Sequence, residues 1–309
     1  MVLKLLGNEN LPEGGRFPSE GIENFFESSE SMKRWELFRK SEIKVGLFFE
    51  KAKKATGSIV SFLEGLGKAV KMTMEMTVYI FKGGISLKDT ALQMVEVGWK
   101  SFPIIMVTSF FVGMVLALQM GTATISFFNE PVYLGMIISF CLIKELGPVL
   151  TAMVVSGSIG AAITAELGTM KINDQLDALY TLGTNPIRYL VVSRFLACFF
   201  MLPLLTVIAN IVGIFGGMFI ANYLWDVPSN IYFSEVLDFI SLLTFLHGFI
   251  KSFFFAMVIA IVACHKGFNA KNGAGGVGIA TTSSVIYSMV FILISDYFLT
   301  MLLTTLNVK

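Results

Sequence analysis

Residues 132–165 read VYLGMIISFCLIKELGPVLTAMVVSGSIGAAITA, an apolar run of 34 residues in which Lys144 and Glu145 are the only charged side chains. A helix of this length measures about 51 Å, whereas the hydrocarbon core of a bilayer is about 30 Å thick. Gly147 and Pro148 follow the charged pair and favour a bend in a helix. The run therefore predicts one bent transmembrane helix that extends beyond the bilayer.

The composition of the whole chain agrees with a membrane protein. Of the 309 residues, 55% are hydrophobic and 15% are charged, and the mean hydropathy is +0.74. Soluble domains carry about 25% charged residues, so the composition argues against a soluble enzyme. The net charge of +1 also argues against a nucleic-acid-binding protein, which needs a strongly basic surface.

Four other apolar runs are long enough to cross a membrane as helices. Together with the first run they give five predicted spans, at residues 102–125, 132–165, 190–223, 239–263 and 277–303. The predicted fold is therefore an all-α polytopic membrane protein, with a five-span domain at residues 102–309.

The part of the chain before this domain has a different composition. Residues 1–100 hold 15 of the 23 Lys and Arg residues and 13 of the 22 acidic residues. Residues 1–31 contain several Gly, Pro and Ser and predict a flexible polar leader. Residues 32–101 combine basic and aromatic side chains at helical spacing. They predict amphipathic helices that lie either in the membrane interface or against protein.

The loops between the predicted spans predict the orientation of the chain. The loops at 125–132 and 223–238 contain acidic but no basic residues, whereas those at 166–190 and 264–276 contain Lys and Arg. Basic residues accumulate in the cytoplasmic loops of membrane proteins. The pattern predicts a cytoplasmic N-terminus and, after five spans, a periplasmic C-terminus.

Three charged residues within the predicted spans are candidates for function. Lys144 and Glu145 lie in the second span and Lys251 lies near the middle of the fourth. A charge at the bilayer centre costs about 2.5–3.5 kcal/mol on insertion scales, so such residues face a cavity, a partner or an opposite charge. One interpretation is a polar patch in a substrate pathway. The other is a structural ion pair between Glu145 and Lys251.

The loop after the second span contains a candidate contact for a soluble partner. Residues 171–183 predict a short amphipathic helix that ends at the stop signals Gly183 and Pro186. On the cytoplasmic face, such a helix can transmit motion from an ATPase to the spans. The chain itself contains no phosphate-binding G-x-x-x-x-G-K-[ST] motif, no Ser/His/Asp triad and no cluster with metal-ligand spacing. It therefore predicts neither an enzyme nor a cofactor site, and any ATP hydrolysis belongs to another chain.

Several ordered motifs resemble one family of membrane proteins. They are KELGPVL at 144–150, GAAITAELGTMK at 160–171, DQLDAL at 174–179, NPIRYL at 185–190 and LPLLT at 202–206. Over about residues 85–303 the chain resembles the MlaE-type permeases, the membrane subunits of Mce-associated lipid ABC transporters. It departs from that pattern at Lys144, where Arg is common, and at Ser158, where the family often has Arg.

The resemblance implies a homodimeric permease in a bacterial inner membrane, with ATPase subunits on one side and an Mce-domain protein on the other. The implied cargo is phospholipid, which moves between the inner membrane and the outer envelope. By resemblance, substrate contacts fall on Lys144, Glu145, Lys251, Leu116, Leu118 and Ile125, and ATPase coupling falls on Asp174, Gln175, Leu176, Asp177 and Leu179. Two alternative functions remain from the sequence alone, an ion-coupled secondary transporter and a structural anchor for an envelope complex.

Overall fold

The computed structural model of the chain describes residues 64–82, 86–128 and 133–307. The predicted leader at 1–31 and the predicted amphipathic segment up to residue 63 lie outside this part of the chain. The described helices are α1 (residues 64–81), α2 (Leu87–Phe128), α3 (Leu134–Ile172), α4 (Gln175–Thr181), α5 (Ile187–Trp225), α6 (Ser229–Phe239), α7 (Leu242–Phe268) and α8 (Gly273–Asn307). No strand occurs in these three ranges.

Five helices, α2, α3, α5, α7 and α8, are long and apolar enough to cross a membrane, which confirms the predicted fold class. Their ends differ from the predicted spans. The apolar run that starts at Phe102 is the second part of α2, which begins at Leu87 and continues without a break. Phe239 is the last residue of α6 and not the start of a span. The fourth membrane helix begins at Leu242 because the Ser241 hydroxyl caps it and accepts the Thr244 N–H at 3.2 Å.

Helix α3 departs from regular α-helical geometry at the charged pair Lys144 and Glu145. Residues Leu142–Leu146 form a π-helical turn that includes Lys144 and Glu145 and ends directly before Gly147. A proline lacks the backbone N–H that bonds four residues back and crowds the carbonyl there. A single π turn is a recognised local adjustment of a helix and occurs often at functional sites. The bend predicted at Gly147 and Pro148 therefore takes the form of a wider, π-helical turn, and this turn contains both Lys144 and Glu145.

Helices α2 and α5 pack closely along their lengths. A methyl group at Gly113 of α2 would overlap the carbonyl oxygen of Gly213 on α5. Small residues at such positions let two helix backbones approach in a membrane, where van der Waals contact drives association. Gly113 and Gly213 therefore serve helix packing within the chain.

Two clusters of buried apolar residues form the core. One joins α1, α2, α3, α4, α5, α7 and α8, and the other joins α2, α3, α5 and α6. Helix α6 is fixed at its end of the bundle by Tyr232, whose hydroxyl donates to the Ile214 carbonyl at 3.2 Å. Burial raises the pKa of this phenol above its usual range, so it stays a donor. Helix α4 and helix α6 lie at opposite ends of α5, so the bundle has an α4 end and an α6 end.

Candidate functional site

A buried lysine forms the centre of a polar cluster inside the bundle. The Lys251 side chain on α7 is 0% exposed, and its ammonium lies 2.5 Å from Glu145 Oε2 on α3. The same ammonium lies 2.9 Å from Asp296 Oδ1 on α8. It donates to Thr300 Oγ1 at 2.7 Å and to the Lys144 carbonyl oxygen at 3.0 Å. The cluster therefore joins three membrane helices, and the predicted ion pair between Glu145 and Lys251 is confirmed.

The irregular part of α3 leaves the Lys144 carbonyl oxygen free to accept a hydrogen bond from Lys251. In a regular helix, the Lys144 carbonyl would accept the N–H of residue 148, but Pro148 has none to donate. The carbonyl instead accepts a hydrogen bond from Lys251 Nζ. A buried carbonyl without a donor is costly, so Pro148 and Lys251 depend on one another across the two helices.

A glycine on α7 allows the approach that the cluster requires. Gly248 stands one turn before Lys251, and a methyl group there would overlap the Ile143 carbonyl oxygen of α3. The backbones of α7 and α3 therefore meet at the π turn without a side chain between them. This contact fixes the position of Lys251 along the axis of α7 relative to Glu145 on α3.

The sequence reasoning missed two members of the cluster, Asp296 and Thr300. Asp296 lies inside the predicted span 277–303, and its charge in an apolar run is the same signal that marked Glu145. Thr300 follows four residues later on the same face of α8, and its hydroxyl bonds to the Asp296 carbonyl oxygen at 2.8 Å. A threonine in an apolar helix commonly bonds its own backbone in this way, so no sequence signal distinguished it.

The adjacent charged residues Lys144 and Glu145 of α3 face different surroundings. The Lys144 ammonium lies 5.0 Å from the centroid of the Phe140 ring, a cation–π contact one turn away. The Glu145 side chain remains 37% exposed although it pairs with Lys251. Glu145 and Lys144 are therefore partly accessible from outside the cluster, whereas Lys251 is covered and holds Glu145 in place. Among the described residues, no group of three or more His, Cys, Asp or Glu is placed to hold a metal ion.

The three apolar residues that the resemblance assigns to a cavity wall do not share one face of α2. Leu116 is buried with Leu142 and Ile214 in the core. Leu118 is 38% exposed, and Ile125 is half-buried two turns later on the same face. Leu118 and Ile125 thus belong to an outer surface of α2, and Leu116 packs inside.

A second buried cation lies at the α4 end. The Arg194 side chain on α5 is 3% exposed and its Nη2 lies 2.8 Å from Glu166 Oε1 on α3. Its Nη1 donates to the Leu190 carbonyl oxygen at 3.1 Å, and its Nε has no hydrogen-bond partner within the described ranges. This ion pair between Glu166 and Arg194 links α3 and α5, the two helices on either side of the segment that contains α4.

Comparison with known proteins identifies the family of this arrangement. The family model described as "Permease MlaE" matches residues 90–302. The chain belongs to the MlaE permease family. It is 39% identical to a probable ABC transporter permease protein of Synechocystis sp. over 80% of this chain and 93% of that protein. It is 36% identical to one of Rickettsia typhi over 79% and 94%, and 32% identical to one of Pyropia yezoensis over 77% and 90%. The chain is thus an ABC transporter permease with five membrane-spanning helices.

In this MlaE permease, α4 presents a different face from the one expected. Leu176 is 2% exposed and packs in the core, and Leu179 is half-buried against the same cluster. Asp174, Gln175 and Asp177 are exposed, as a partner contact requires. The two leucines therefore attach α4 to the permease. An amphipathic helix buries its apolar side chains against its own protein first, and the matched motif did not separate the two faces.

The exposed apolar side chains of α4 lie near its C-terminal end. Tyr180 is 55% exposed and Leu182 is 78% exposed. The helix ends where Gly183 takes a φ of 73° and donates its N–H to the Tyr180 carbonyl at 3.0 Å, at the predicted stop signal. Asp174, with a φ of 55°, separates α4 from α3, so Lys171 belongs to α3 and reaches Asp177 across the turn at 3.2 Å.

Proposed function

We propose that this chain is the permease subunit of an ABC transporter that moves phospholipid between a bacterial inner membrane and the outer envelope. A separate ATPase subunit supplies the energy, and the permease carries no catalytic residue and needs no cofactor. The observation that carries this proposal is the partly exposed Glu145, held by the buried Lys251 inside helices that are otherwise apolar, in a chain of the MlaE permease family.

The chemistry of this site suits an amphiphile. A phospholipid needs apolar walls for its acyl chains and polar contacts for its headgroup. Exposed apolar side chains such as Phe111, Val115 and Leu118 of α2 supply walls. Lys144 and Glu145 supply a cation and an anion on consecutive residues of α3, within reach of a zwitterionic or anionic headgroup.

The charges at the two ends support an inner-membrane orientation with α4 in the cytoplasm. The α4 end carries Lys171, Arg188, Lys266 and Lys271, whereas the α6 end carries Asp226, Glu235 and Asp238. By the distribution of basic residues in membrane proteins, the N-terminus is cytoplasmic and the C-terminus is periplasmic. An Mce-domain protein then meets the α6 end.

Lipid transfer by the reconstituted complex tests the proposed cargo. The chain is purified with its ATPase partner and compared with Glu145→Gln and with Glu96→Gln, a change at an exposed residue of α2. We expect Glu145→Gln to lower ATP-dependent transfer of labelled phosphatidylglycerol about tenfold or more, because a charged hydrogen bond contributes about 1.5–3 kcal/mol. Glu96→Gln leaves it unchanged. Normal transfer by an assembled Glu145→Gln complex overturns the cargo site, whereas no ATP-dependent transfer by the assembled wild-type complex favours a structural anchor.

The contact with the ATPase is tested on the exposed side of α4. Leu182→Asp places a charge on an exposed apolar residue, and we expect it to reduce co-purification of the ATPase while the permease keeps its unfolding temperature. Leu176→Asp instead buries a charge in the core and lowers that temperature. If Leu182→Asp retains the ATPase in full, the partner does not use this end of α4.

The proposed homodimer and its partners have a direct measurement. Native mass spectrometry of the purified complex reports the number of permease chains, the ATPase, the Mce-domain protein and any bound lipid. Two permease chains with bound phospholipid support the assembly, and a single chain contradicts it.

A further inference from the structure

A cavity separate from the Lys251 cluster lies at the α4 end, where α5 begins. Its volume is about 460 Å³, and its walls include Tyr79 of α1, Thr184 and Asn185 of the segment after α4, and Arg188, Tyr189 and Ser193 of α5. None of its described lining residues is acidic. The size lies within the range of cavities that hold small ligands and lipid headgroups, about 300–1,000 Å³.

The only cation that lines this cavity, as far as the structure describes it, is not used by the fold. Arg188 is exposed and makes no hydrogen bond or ion pair with a described residue. By contrast, Lys171 pairs with Asp177 and Arg194 pairs with Glu166 at the same end of the bundle. An arginine that lines a cavity without a counter-charge is available to an anion from outside the chain.

Asn185 holds another part of the cavity wall in place. Its amide nitrogen donates to the Tyr79 hydroxyl oxygen at 3.0 Å, and its Oδ1 accepts the Ile187 N–H at 2.9 Å. The Tyr79 oxygen is thus an acceptor for Asn185, and its own proton remains to be donated. The Thr184 hydroxyl likewise has no acceptor among the described residues. The cavity therefore offers a guanidinium and two hydroxyl donors, a set that matches the oxygens of a phosphate group.

An apolar stripe leads from the cavity along α5. Tyr189 lines the cavity and is 49% exposed, and Phe200 and Leu204, each 52% exposed, follow on the same face. Tyrosine and arginine are favoured at the membrane–water boundary, with apolar residues deeper. A phospholipid can place its phosphate group in the cavity and its acyl chains beside this stripe. A free phosphate ion would occupy the cavity and leave the apolar stripe unused.

We propose that this cavity binds the phosphate headgroup of a phospholipid in the leaflet on the α4 side, with Arg188 as its main contact and the hydroxyls of Tyr79 and Thr184 as further donors. The site is distinct from the Lys144–Glu145 region on α3. It uses the proposed orientation of the chain, but it depends neither on the cargo nor on the ATPase.

Lipid binding to the purified full-length chain tests this site without any transport measurement. Native mass spectrometry follows titration with phosphatidylglycerol and, separately, with diacylglycerol of the same acyl chains, which lacks the phosphate. The variants are Arg188→Gln, Arg188→Lys and Tyr79→Phe. The matched control is Lys271→Gln, because Lys271 is another exposed cation at the α4 end without a described partner.

We expect Arg188→Gln to raise the apparent Kd for one phosphatidylglycerol per chain about tenfold or more. Arg188→Lys restores part of the affinity because a charge remains without the bidentate fork. Tyr79→Phe has a smaller effect, and Lys271→Gln has none. Since Arg188 is exposed and makes no hydrogen bond or ion pair with a described residue, we expect its variants to keep the unfolding temperature of the wild type.

Three results overturn the proposal. The first is unchanged phosphatidylglycerol binding by Arg188→Gln. The second is equal binding of diacylglycerol, which removes the phosphate from the recognition. The third is displacement of the lipid by millimolar inorganic phosphate, which assigns the cavity to a soluble anion. A failed transport experiment with normal Arg188-dependent binding would leave this site standing and reject only the proposed cargo function.

Discussion

Lys251 and Arg194 are both cations inside the bundle, with side chains 0% and 3% exposed, yet their surroundings differ. Lys251 lies among acceptors from α3 and α8, namely two carboxylates, a hydroxyl and a backbone carbonyl. Arg194 has one carboxylate, from α3, and one carbonyl from its own helix, and its Nε has no described partner. Lys251 is therefore saturated with acceptors, and Arg194 is not.

The carboxylate partners explain what this difference means for the protein. Glu145 and Asp296 are 37% and 21% exposed at the level of the membrane, so neither is easily hydrated without Lys251. Glu166 is 53% exposed near the membrane surface, where water can replace the arginine. The first contact is therefore expected to be the more permanent of the two.

The largest expected effect comes from replacing Lys251, the cation that is saturated with acceptors. Lys251→Met removes the cation and leaves two carboxylates with only each other and Thr300. Breaking a buried ion pair from one side costs about 3–5 kcal/mol. We expect a large loss of folded protein and of unfolding temperature in detergent. Adding Asp296→Asn and Glu145→Gln to the same chain should recover part of the stability, because the uncompensated charges are then removed.

A smaller loss is expected at the second cation. Arg194→Met removes a charged hydrogen bond, for which about 1.5–3 kcal/mol is typical, but leaves a glutamate that water can reach. The unfolding temperature should fall less than in Lys251→Met. An equal or larger fall would reverse the comparison and make the Arg194 contact the more permanent of the two.

The close approach of α7 to α3 at Gly248, which brings Lys251 to its acceptors, can be tested separately. Gly248→Ala places a methyl group against the Ile143 carbonyl and forces α7 away from α3, at a cost of about 1–3 kcal/mol. Gly157→Ala is the matched control, since a methyl group there meets no atom within 4 Å. Differential unfolding of the two variants measures the contact. Equal stability of both would show that α7 has room to move.

The smallest effect is expected from a change that keeps the shape of the cluster. Asp296→Asn still offers an oxygen to Lys251, and Glu145 retains the ion pair, so we expect a loss of about 1 kcal/mol. Thermal unfolding beside Lys251→Met gives the comparison. A loss as large as that of Lys251→Met would make Asp296, rather than Glu145, the main counter-ion.

Much of the fold and half of the polar cluster follow from the sequence. Long apolar runs predict the five membrane helices because a bilayer demands about 20 apolar residues per span. The pairing of Glu145 with Lys251 is one of the two interpretations that the cost of an unpaired charge in lipid allows. Asp296 is also a charged residue in an apolar run. Which helix it contacts depends on how the helices are arranged in the bundle, and a hydropathy pattern does not give that arrangement.

Other features depend on geometry that a linear pattern does not record. Leu116 and Leu118 are neighbours in the sequence of α2, but two residues turn a helix by about 200°, so they lie on opposite sides. In α4, the apolar residues of the motif bind the permease itself, whereas Tyr180 and Leu182, outside the matched motif, are the exposed ones. The choice between inner and outer face requires the neighbouring helices.

The order of the charges along the chain has a consequence for biogenesis. A ribosome delivers Glu145 first, Lys251 about a hundred residues later and Asp296 last. Glu145 therefore enters the bilayer before its cation exists, and α8 brings an aspartate that costs about 2.5–3.5 kcal/mol to insert alone. The lysine is already in place when that aspartate arrives. Insertion of the final helix is thus assisted by a waiting ammonium group, and a chain truncated before α8 would leave the translocon with a lysine that lacks two of its acceptors, Asp296 and Thr300.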